Sequence, residues 1–412
     1  MSGEKTLHIP EGINFDCTGC GNCCFSWPVP LTDEDLNRIV SLKIEGVKEE
    51  PFHIIKTDSP GSLSERSFTS ALGKRPDGKC QFFAPDNRCQ IHVEFGEEAK
   101  PAMCRLFPYT FTPTPAGVYA SASFASTGVL YNNGRPLSEQ RPHLLRTLEL
   151  FFKLFPDLAP DWTQLQLIDG EPLSFEAYLE LESEFLSLLS DQQTPHNSQL
   201  RAEKILCGSA EKVSRLIKQK RDFDRIPGVE TSPRTVDSLL IQSLLKTYFP
   251  LDVYKENTCE IDTTSLARSL VVPPDKVLIE FEGRRISFGE LNQFRLGDLD
   301  AQSESLLKRF AYLKVFSKLY FGPGFAGLSL VAGLNHLSTL ISLVRIFLKL
   351  QKIASGKGNN GSSQITFEET AECVRALERR LTVANFSKQT KTMLEVLLSS
   401  PERSKRIAVL AS

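Results

Sequence analysis

Most of the chain beyond residue 130 has apolar residues at three- and four-residue spacing. Two clear examples are 141–155, with the sequence RPHLLRTLELFFKLF, and 174–190, with the sequence SFEAYLELESEFLSLLS. This spacing gathers apolar side chains on one face of a helix, so the pattern predicts amphipathic α-helices. Six further helices are predicted on the same grounds, at 200–220, 235–249, 303–319, 325–352, 367–381 and 387–398. Thr366 and Glu369 have the spacing of a capping box at the start of the fifth of these six.

The first 130 residues have a different pattern, with many Pro, Gly and turn dipeptides and few long periodic stretches. One helix is predicted there, beginning after an N-cap at Thr32 and running to about Leu42, with Asp35 three residues after the cap. Short extended runs at 81–84, 90–94 and 118–124 predict small strands or extended loops.

The predicted fold class is therefore mainly α, with two parts. A small, irregular, cysteine-rich metal-binding domain over 1–130 is followed by a larger helical region over 131–412. Within the second part, 354–364 (ASGKGNNGSSQ) is rich in Gly, Ser and Asn, a composition that predicts a flexible loop.

One apolar segment, 319–344, has no charged residue and is long enough to cross a membrane. Pro323 and Gly324 interrupt it early, and polar residues recur along one side from Ser329 to Lys352. The pattern favours a long amphipathic helix buried against its neighbours over a membrane span. It also predicts that His336 lies at the surface or boundary of that helix and that helical glutamates such as Glu182 face solvent.

Composition and charge narrow the functional classes. The chain has 412 residues, 41% hydrophobic and 24% charged, with a formal net charge of −2. This balance is ordinary for a globular protein and gives no basic excess for nucleic acid or anionic lipid. The beginning, MSGEKTLHIPEGINFDC, has no apolar run typical of a secretory signal, so a cytoplasmic location with reduced thiols is expected.

The strongest chemical signal is the distribution of cysteine. Seven of the ten cysteines lie in the first quarter of the chain: Cys17, Cys20, Cys23, Cys24, Cys80, Cys89 and Cys104. Their spacing is C-x2-C-x2-C-C, then 55 residues, then C-x8-C-x14-C. In a reducing compartment such a cluster indicates metal ligands rather than disulfides, so all seven are candidate metal ligands. The isolated Cys207, Cys259 and Cys373 are interpreted as small buried apolar residues.

The spacing favours an iron–sulfur centre, [4Fe–4S] in particular, and leaves zinc, or a redox thiol cluster without metal, as the alternatives. Three cysteines at two-residue steps are typical of a cluster loop, in which Gly19 and Gly21 permit positive φ and close N–H···S approach. Structural zinc sites more often use two separate cysteine pairs. Seven thiols exceed the four that one centre needs, so extra thiols or two centres both remain open.

Arg105, beside Cys104, is the candidate cofactor-binding residue, because its positive charge would offset the charge of several thiolates. His53 and His92 are expected to be polar neighbours of the site rather than ligands. Beyond residue 130, no spacing of Asp, Glu or His singles out a catalytic pair, so catalytic residues stay unassigned.

Several blocks together carry a family resemblance. The segments CTGCGNCC, PVPLTDEDLNRI, GKCQFF, NRCQIH and KPAMCRLFPY occur in that order within residues 12–125. They resemble the YkgJ-type cysteine-cluster family defined by the motif CxxCxxCC, which implies a zinc- or iron-chelating domain.

In length and layout the chain also resembles the flagellin lysine N-methylases. That resemblance implies methyl transfer from S-adenosylmethionine to lysine, an iron–sulfur requirement, and flagellin as the protein partner. The residues themselves leave two further functions open. One is a metal-stapled binding or scaffold module, and the other is an electron carrier without catalytic activity.

Overall fold

The computed structural model describes residues 6–25, 29–42, 44, 52–54, 68, 70–190, 201–220, 234–250, 258–259, 272–356, 365–383 and 385–411. For residues 23, 52–54, 217–220, 258–259, 383 and 385 the description covers the backbone alone. The chain divides into two compact units, Met1–Ala159 and Pro160–Ser412. The first unit thus extends beyond residue 130. The boundary at that residue between the metal-binding domain and the helical region stays a prediction. Residues 357–364 of the predicted loop lie outside the described residues.

The first unit combines short strands with five described helices. The strands are β1 Leu7–His8, β2 Pro30–Leu31, β3 Phe52–Ile54, β4 Ser70–Leu72, β5 Tyr109–Thr114 and β6 Gly117–Ala122. The helices are α1 Asp33–Ser41, α2 Gln90–Phe95, α3 Ala102–Leu106, α4 Thr127–Tyr131 and α5 Arg141–Leu154. β5 and β6 form an antiparallel hairpin that β1 joins in parallel, whereas β2, β4 and β3 form a second antiparallel sheet.

The predicted N-terminal helix is confirmed as α1, and its capping explains why it begins where it does. The Thr32 hydroxyl accepts from the Asp35 backbone N–H at 3.1 Å, and the Asp35 carboxylate accepts from the Thr32 N–H at 3.3 Å. This reciprocal capping box satisfies two N–H groups that a helix start otherwise leaves unpaired.

One of the three predicted runs is wrong. Residues 90–94 belong to α2, in which the Cys89 carbonyl accepts from the Val93 N–H at 3.0 Å, a helical hydrogen bond. Local β-propensity was overridden there by the turn around Cys89. Residues 81–84 form a loop with one isolated bridge, from Phe83 to Cys89. The strand predicted at 118–124 is confirmed as β6.

The second unit is predominantly helical, which confirms the mainly α fold class. Its described helices are α6 Phe175–Leu189, α7 Ala202–Lys220, α8 Thr235–Tyr248, α9 Phe288–Gln293, α10 Ala301–Phe316, α11 Leu330–Ala354, α12 Phe367–Val383, α13 Lys388–Leu398 and α14 Pro401–Leu410. The described strands are β7 Gln166–Ile168, β8 Glu171–Pro172, β9 Thr258–Cys259, β10 Leu278–Phe281, β11 Arg284–Ser287 and β12 Asn385–Phe386. All eight helices predicted beyond residue 130 are present. The short α9, the terminal α14 and the β10–β11 hairpin lack a clear periodic signal and were not predicted.

The predicted capping box at the start of α12 is also confirmed. Glu369 accepts from the Thr366 backbone N–H at 2.9 Å, and the Glu369 N–H donates to the Thr366 hydroxyl at 3.2 Å.

The predictions for the polar side of α11 and for Glu182 are wrong. His336 is 1% exposed, and its Nε2 lies 2.6 Å from the Tyr248 hydroxyl. Farther along the same side, Arg345 pairs with Glu203 at 3.1 Å and with Glu304 at 2.6 Å. Neighbouring helices cover this side and supply partners for its polar groups, as buried polar groups require.

Glu182 is likewise buried, and its carboxylate lies 3.0 Å from the Lys318 ammonium. Burial raises the pKa of Glu182, while the Lys318 charge opposes that rise.

α11 is long and apolar enough to cross a membrane by length and composition. However, 94% of its most apolar window is buried within the protein, and such burial is what the core helix of a soluble protein shows.

Candidate metal centre

The cysteine loop begins from a fixed point in the first unit. The Asp16 carboxylate accepts from the Arg135 guanidinium at 2.8 Å and from the Arg135 backbone N–H at 2.9 Å. The backbone is paired as well, because the Phe15 N–H donates to the Arg135 carbonyl at 3.0 Å. Gly134 permits this approach, since a Cβ there would collide with Asp16. The chain is therefore held immediately before Cys17.

The first part of the loop lies at the surface. Cys17 and Cys20 are exposed, and the Cys20 thiol donates to the Thr127 hydroxyl at 3.1 Å. The same hydroxyl accepts from the Asn22 side-chain amide at 3.1 Å. Gly19 has the predicted positive φ, 64°, and a side chain there would meet open space.

The second part of the loop turns inward. Gly21 has a φ of 72°, and a Cβ at this position would collide with the Phe83 ring. Residues Asn22–Cys24 form a 3₁₀ turn. Only glycine combines this backbone conformation with so close an approach. The contact therefore presses the turn that carries Cys24 against the segment that follows Cys80.

Backbone hydrogen bonds join Cys24 to Cys80 across the 55 intervening residues. The Cys80 N–H donates to the Cys24 carbonyl at 3.0 Å, and the same carbonyl accepts from the Lys74 ammonium at 3.1 Å. Phe25 also pairs with Lys79 as an isolated bridge. The two distant cysteine stretches therefore meet at these residues.

Cys80 is buried beside groups that would favour a metal-bound thiolate. Burial raises the pKa of the Cys80 thiol above its ordinary value, and the nearby Cys89 adds to that rise. The Phe82 backbone N–H, which donates to the sulfur, and the positive charges of Lys74 and Arg75 oppose the rise. N–H···S bonds and nearby cations are the means by which proteins stabilise metal-bound thiolates.

Cys89 and Cys104 are each held by a short helix. Cys89 is the N-cap residue of α2, and Cys104 lies within α3. The Asp35 carboxylate, only 1% exposed, accepts from the Ala102 N–H at 3.1 and 3.2 Å and thereby caps α3. Arg38 pairs with Asp35 and also donates to the carbonyls of Ala99 and Lys100, at 3.2 and 3.0 Å. Helix α1 thus clamps the segment that leads to Cys104.

Four cysteines border one apolar cluster. We call Cys24, Cys80, Cys89 and Cys104 the inner cysteines, and Cys17 and Cys20 the outer cysteines. Cys80 belongs to the cluster and the other three pack against it. The remaining buried members of the cluster are Val29, Leu31, Ile39, Ile44, Leu72, Phe82, Phe83 and Ile91. The side chain of Cys23 lies outside the described residues.

Among the described side chains, no three His, Cys, Asp or Glu residues are grouped closely enough to hold a metal ion. The inner cysteines border the same cluster, but their thiols are not grouped around a common metal position. Ligation would therefore require the thiols to turn toward one another. His92 is exposed on α2, and the side chain of His53 is not described.

The donor chemistry nevertheless fits a thiophilic metal. Arg105 pairs with Glu98 at 2.5 Å, yet its buried Nε has no hydrogen-bond partner among the described residues. A buried cationic N–H without an acceptor beside Cys104 is suited to an anionic thiolate group. The role predicted for Arg105 stays a prediction with this supporting feature.

These features define the class of the first unit: a cysteine-rich domain whose side chains suit a soft metal ion. Residues 16–127 match the family described as "CxxCxxCC: Putative zinc- or iron-chelating domain", and the chain carries a domain of this family there. The suspected family is confirmed, and metal binding by this segment is supported. No curated protein and no solved structure matches the chain.

Residue patterns alone did not identify several supporting residues. The sequence places Asp35 three residues after the N-cap of α1, but its role as the cap of α3 was not predicted. The Thr127 hydroxyl and the Phe82 N–H have no sequence signal of their own, since each acts through a contact made by folding.

Proposed function

We propose that the N-terminal domain binds an iron–sulfur centre through cysteine thiolates, in the reducing setting expected for the cytoplasm. One observation carries the proposal: four cysteines from stretches 55 residues apart border a single apolar cluster. Four thiolates are the usual ligand set of a [4Fe–4S] or [2Fe–2S] cluster. Zinc has the same ligand number, and the preference for iron–sulfur comes from the sequence motif C-x2-C-x2-C-C, to which only Cys24 of the four belongs.

The protein's own residues supply the electrostatics of such a centre. A cluster with four thiolates is negatively charged, and Lys74, Arg75 and Arg105 place positive charge beside its ligands. The Phe82 N–H bonded to the Cys80 sulfur would tune the potential of the bound cluster.

The test is anaerobic purification of the full chain followed by metal and sulfide analysis and an absorption spectrum. The expected result is a coloured protein with iron and acid-labile sulfide in similar amounts, lost in Cys80→Ser and retained in Cys207→Ser. Cys207 is the matched control because it is also buried but lies in the second unit. A colourless protein with stoichiometric zinc would contradict the iron–sulfur assignment, and a metal-free protein would contradict the metal centre itself.

Methyl transfer to lysines of flagellin, with S-adenosylmethionine as donor, stays a prediction that rests on resemblance in length and layout. It is tested by incubating the reconstituted protein with labelled S-adenosylmethionine and flagellin. We expect label on flagellin lysines with wild type and none with Cys80→Ser. No transfer by a protein with its full complement of metal would contradict the prediction.

A further inference from the structure

We infer that the cysteines of this domain form two separate sites. In this scheme the inner cysteines hold the resident metal centre. The outer cysteines form an exposed dithiol that takes up and releases a soft metal ion independently. This inference rests on the proposed metal-binding function and divides its ligands between a fixed and an exchangeable site.

The inner cysteines have the rigidity that a resident centre needs. Cys24 and Cys80 share a backbone hydrogen bond of 3.0 Å, and Phe83 N–H donates to the Cys80 carbonyl at 3.1 Å. Cys89 pairs with Phe83 as an isolated bridge. Each of these contacts fixes the position of the backbone that carries a thiol.

Cys104 is fixed by different means but equally firmly. The Asp35–Arg38 pair holds both the Ala102 N–H and the carbonyls of Ala99 and Lys100. The ligand set is thus four cysteines on a backbone that the protein itself holds. That number completes a tetrahedral zinc site or supplies one thiolate for each iron of a cubane.

The outer cysteines have the opposite properties. Both are exposed, and Gly19 between them has open space where a side chain would be. The Cys20 thiol donates a hydrogen bond to the Thr127 hydroxyl, which is a contact between two side chains at the surface. Exposed thiols react and exchange ligands readily, whereas buried thiols are slow.

The order of residues along the loop explains why Cys24 belongs to the inner cysteines and Cys17 and Cys20 to the outer cysteines. The turn at Asn22–Cys24 follows the contact of Gly21 with Phe83, so the chain enters the apolar cluster only at its end. Cys17 and Cys20 precede that contact and are exposed, and the Cys20 thiol donates to the Thr127 hydroxyl. One short motif therefore contributes to two environments.

The first experiment measures site-specific alkylation in the full-length protein after its resident metal has been removed with a chelator, with zinc as the probe metal. Each cysteine is followed by mass spectrometry after timed exposure to N-ethylmaleimide, with and without zinc. We expect zinc at one equivalent to slow alkylation of the inner cysteines by about tenfold or more and that of the outer cysteines by less than about threefold. Cys207 is the internal reference, because its rate should not depend on zinc.

The second experiment measures zinc release to a coloured chelator after loading with two equivalents. Wild type should release zinc in a fast and a slow phase. The Cys17→Ser/Cys20→Ser variant should lose the fast phase and keep the slow one, and Cys104→Ser should lose the slow phase. Circular dichroism of each variant checks that it is folded, and the alkylation experiment on wild type stands if Cys104→Ser is not.

Each outcome is decisive. Equal protection of inner and outer cysteines, or loss of the slow phase in the Cys17→Ser/Cys20→Ser variant, would overturn the division while leaving metal binding intact. Protection of the outer pair alone would also overturn it. Absence of bound metal in wild type would overturn the proposed function itself.

Discussion

Gly21 shows how strongly single residues determine the shape of the cysteine loop. Its φ is 72°, a conformation that L-residues adopt at a cost of about 1–2 kcal/mol, and a Cβ would also collide with Phe83. Gly19 has a similar φ of 64° but open space around it. Substitution of Gly19 therefore tests backbone strain alone, whereas substitution of Gly21 tests backbone strain and steric contact together.

We expect Gly21→Ala to destabilise the first unit by about 2–4 kcal/mol, from strain and overpacking together, and Gly19→Ala by about 1 kcal/mol. Urea unfolding and metal content of the two variants measure the difference. Equal effects would contradict a tight Gly21–Phe83 contact.

His336 makes the stability of the second unit depend on pH. Burial lowers the pKa of His336 to about 3, from an ordinary value of 6.5. The unfolded chain therefore binds a proton between these values that the folded protein excludes, and stability falls as the pH is lowered through this window.

We expect His336→Gln to remove this contribution. Its free energy of unfolding should decline less steeply than that of wild type between pH 6.5 and 3, with the difference in slope at most about 1.4 kcal/mol per pH unit. Urea unfolding at a series of pH values measures both slopes. Identical slopes would contradict a neutral, buried His336.

At the scale of elements, α1 holds the start of α3 as well as forming a helix of its own. Its third residue caps both α1 and α3, so one carboxylate links the helix predicted from sequence to the segment that carries Cys104. The capping box was predictable because it is local, with donor and acceptor three residues apart. The contact with Ala102 was not, because 67 residues separate the partners.

We expect Asp35→Ala to cost about 3 kcal/mol or more, since it removes the buried carboxylate that caps α3, that accepts from the Thr32 N–H and that pairs with Arg38. Metal occupancy should fall with it. Glu34→Gln is the matched control, because the neighbouring Glu34 is exposed and pairs with Lys153 at 2.8 Å, an interaction worth at most about 1 kcal/mol. Similar effects of the two substitutions on stability and metal content would contradict the role of Asp35.

At the scale of the whole molecule, the two compact units have cores of different kinds. The first has an apolar cluster bordered by cysteines in addition to further buried apolar residues such as Phe111, Val118 and Phe151, whereas the second is organised around α11, which is buried on all sides. Metal bound by the cysteines would therefore contribute folding free energy mainly around that cluster.

Removing the metal should therefore affect the two units unequally. We expect chelation to increase amide hydrogen exchange in α2, α3 and the Cys17–Cys24 loop, while α11 keeps its protection. Hydrogen-exchange mass spectrometry with and without chelator measures this. Uniform loss of protection along the chain, or no change around the cysteines, would contradict a metal centre that stabilises the first unit.

The sequence by itself determined eight of the described helices beyond residue 130, the N-cap of α1, the capping box of α12, the positive φ that Gly19 and Gly21 permit, and the thiol chemistry of the N-terminal region. These depend on spacing and residue type within a few positions, which a pattern records directly. The tertiary structure decided which cysteines share one apolar cluster, which helix covers the polar side of α11, and where Glu182 and His336 find partners. Burial and long-range pairing depend on which element lies against which, and no local spacing contains that information.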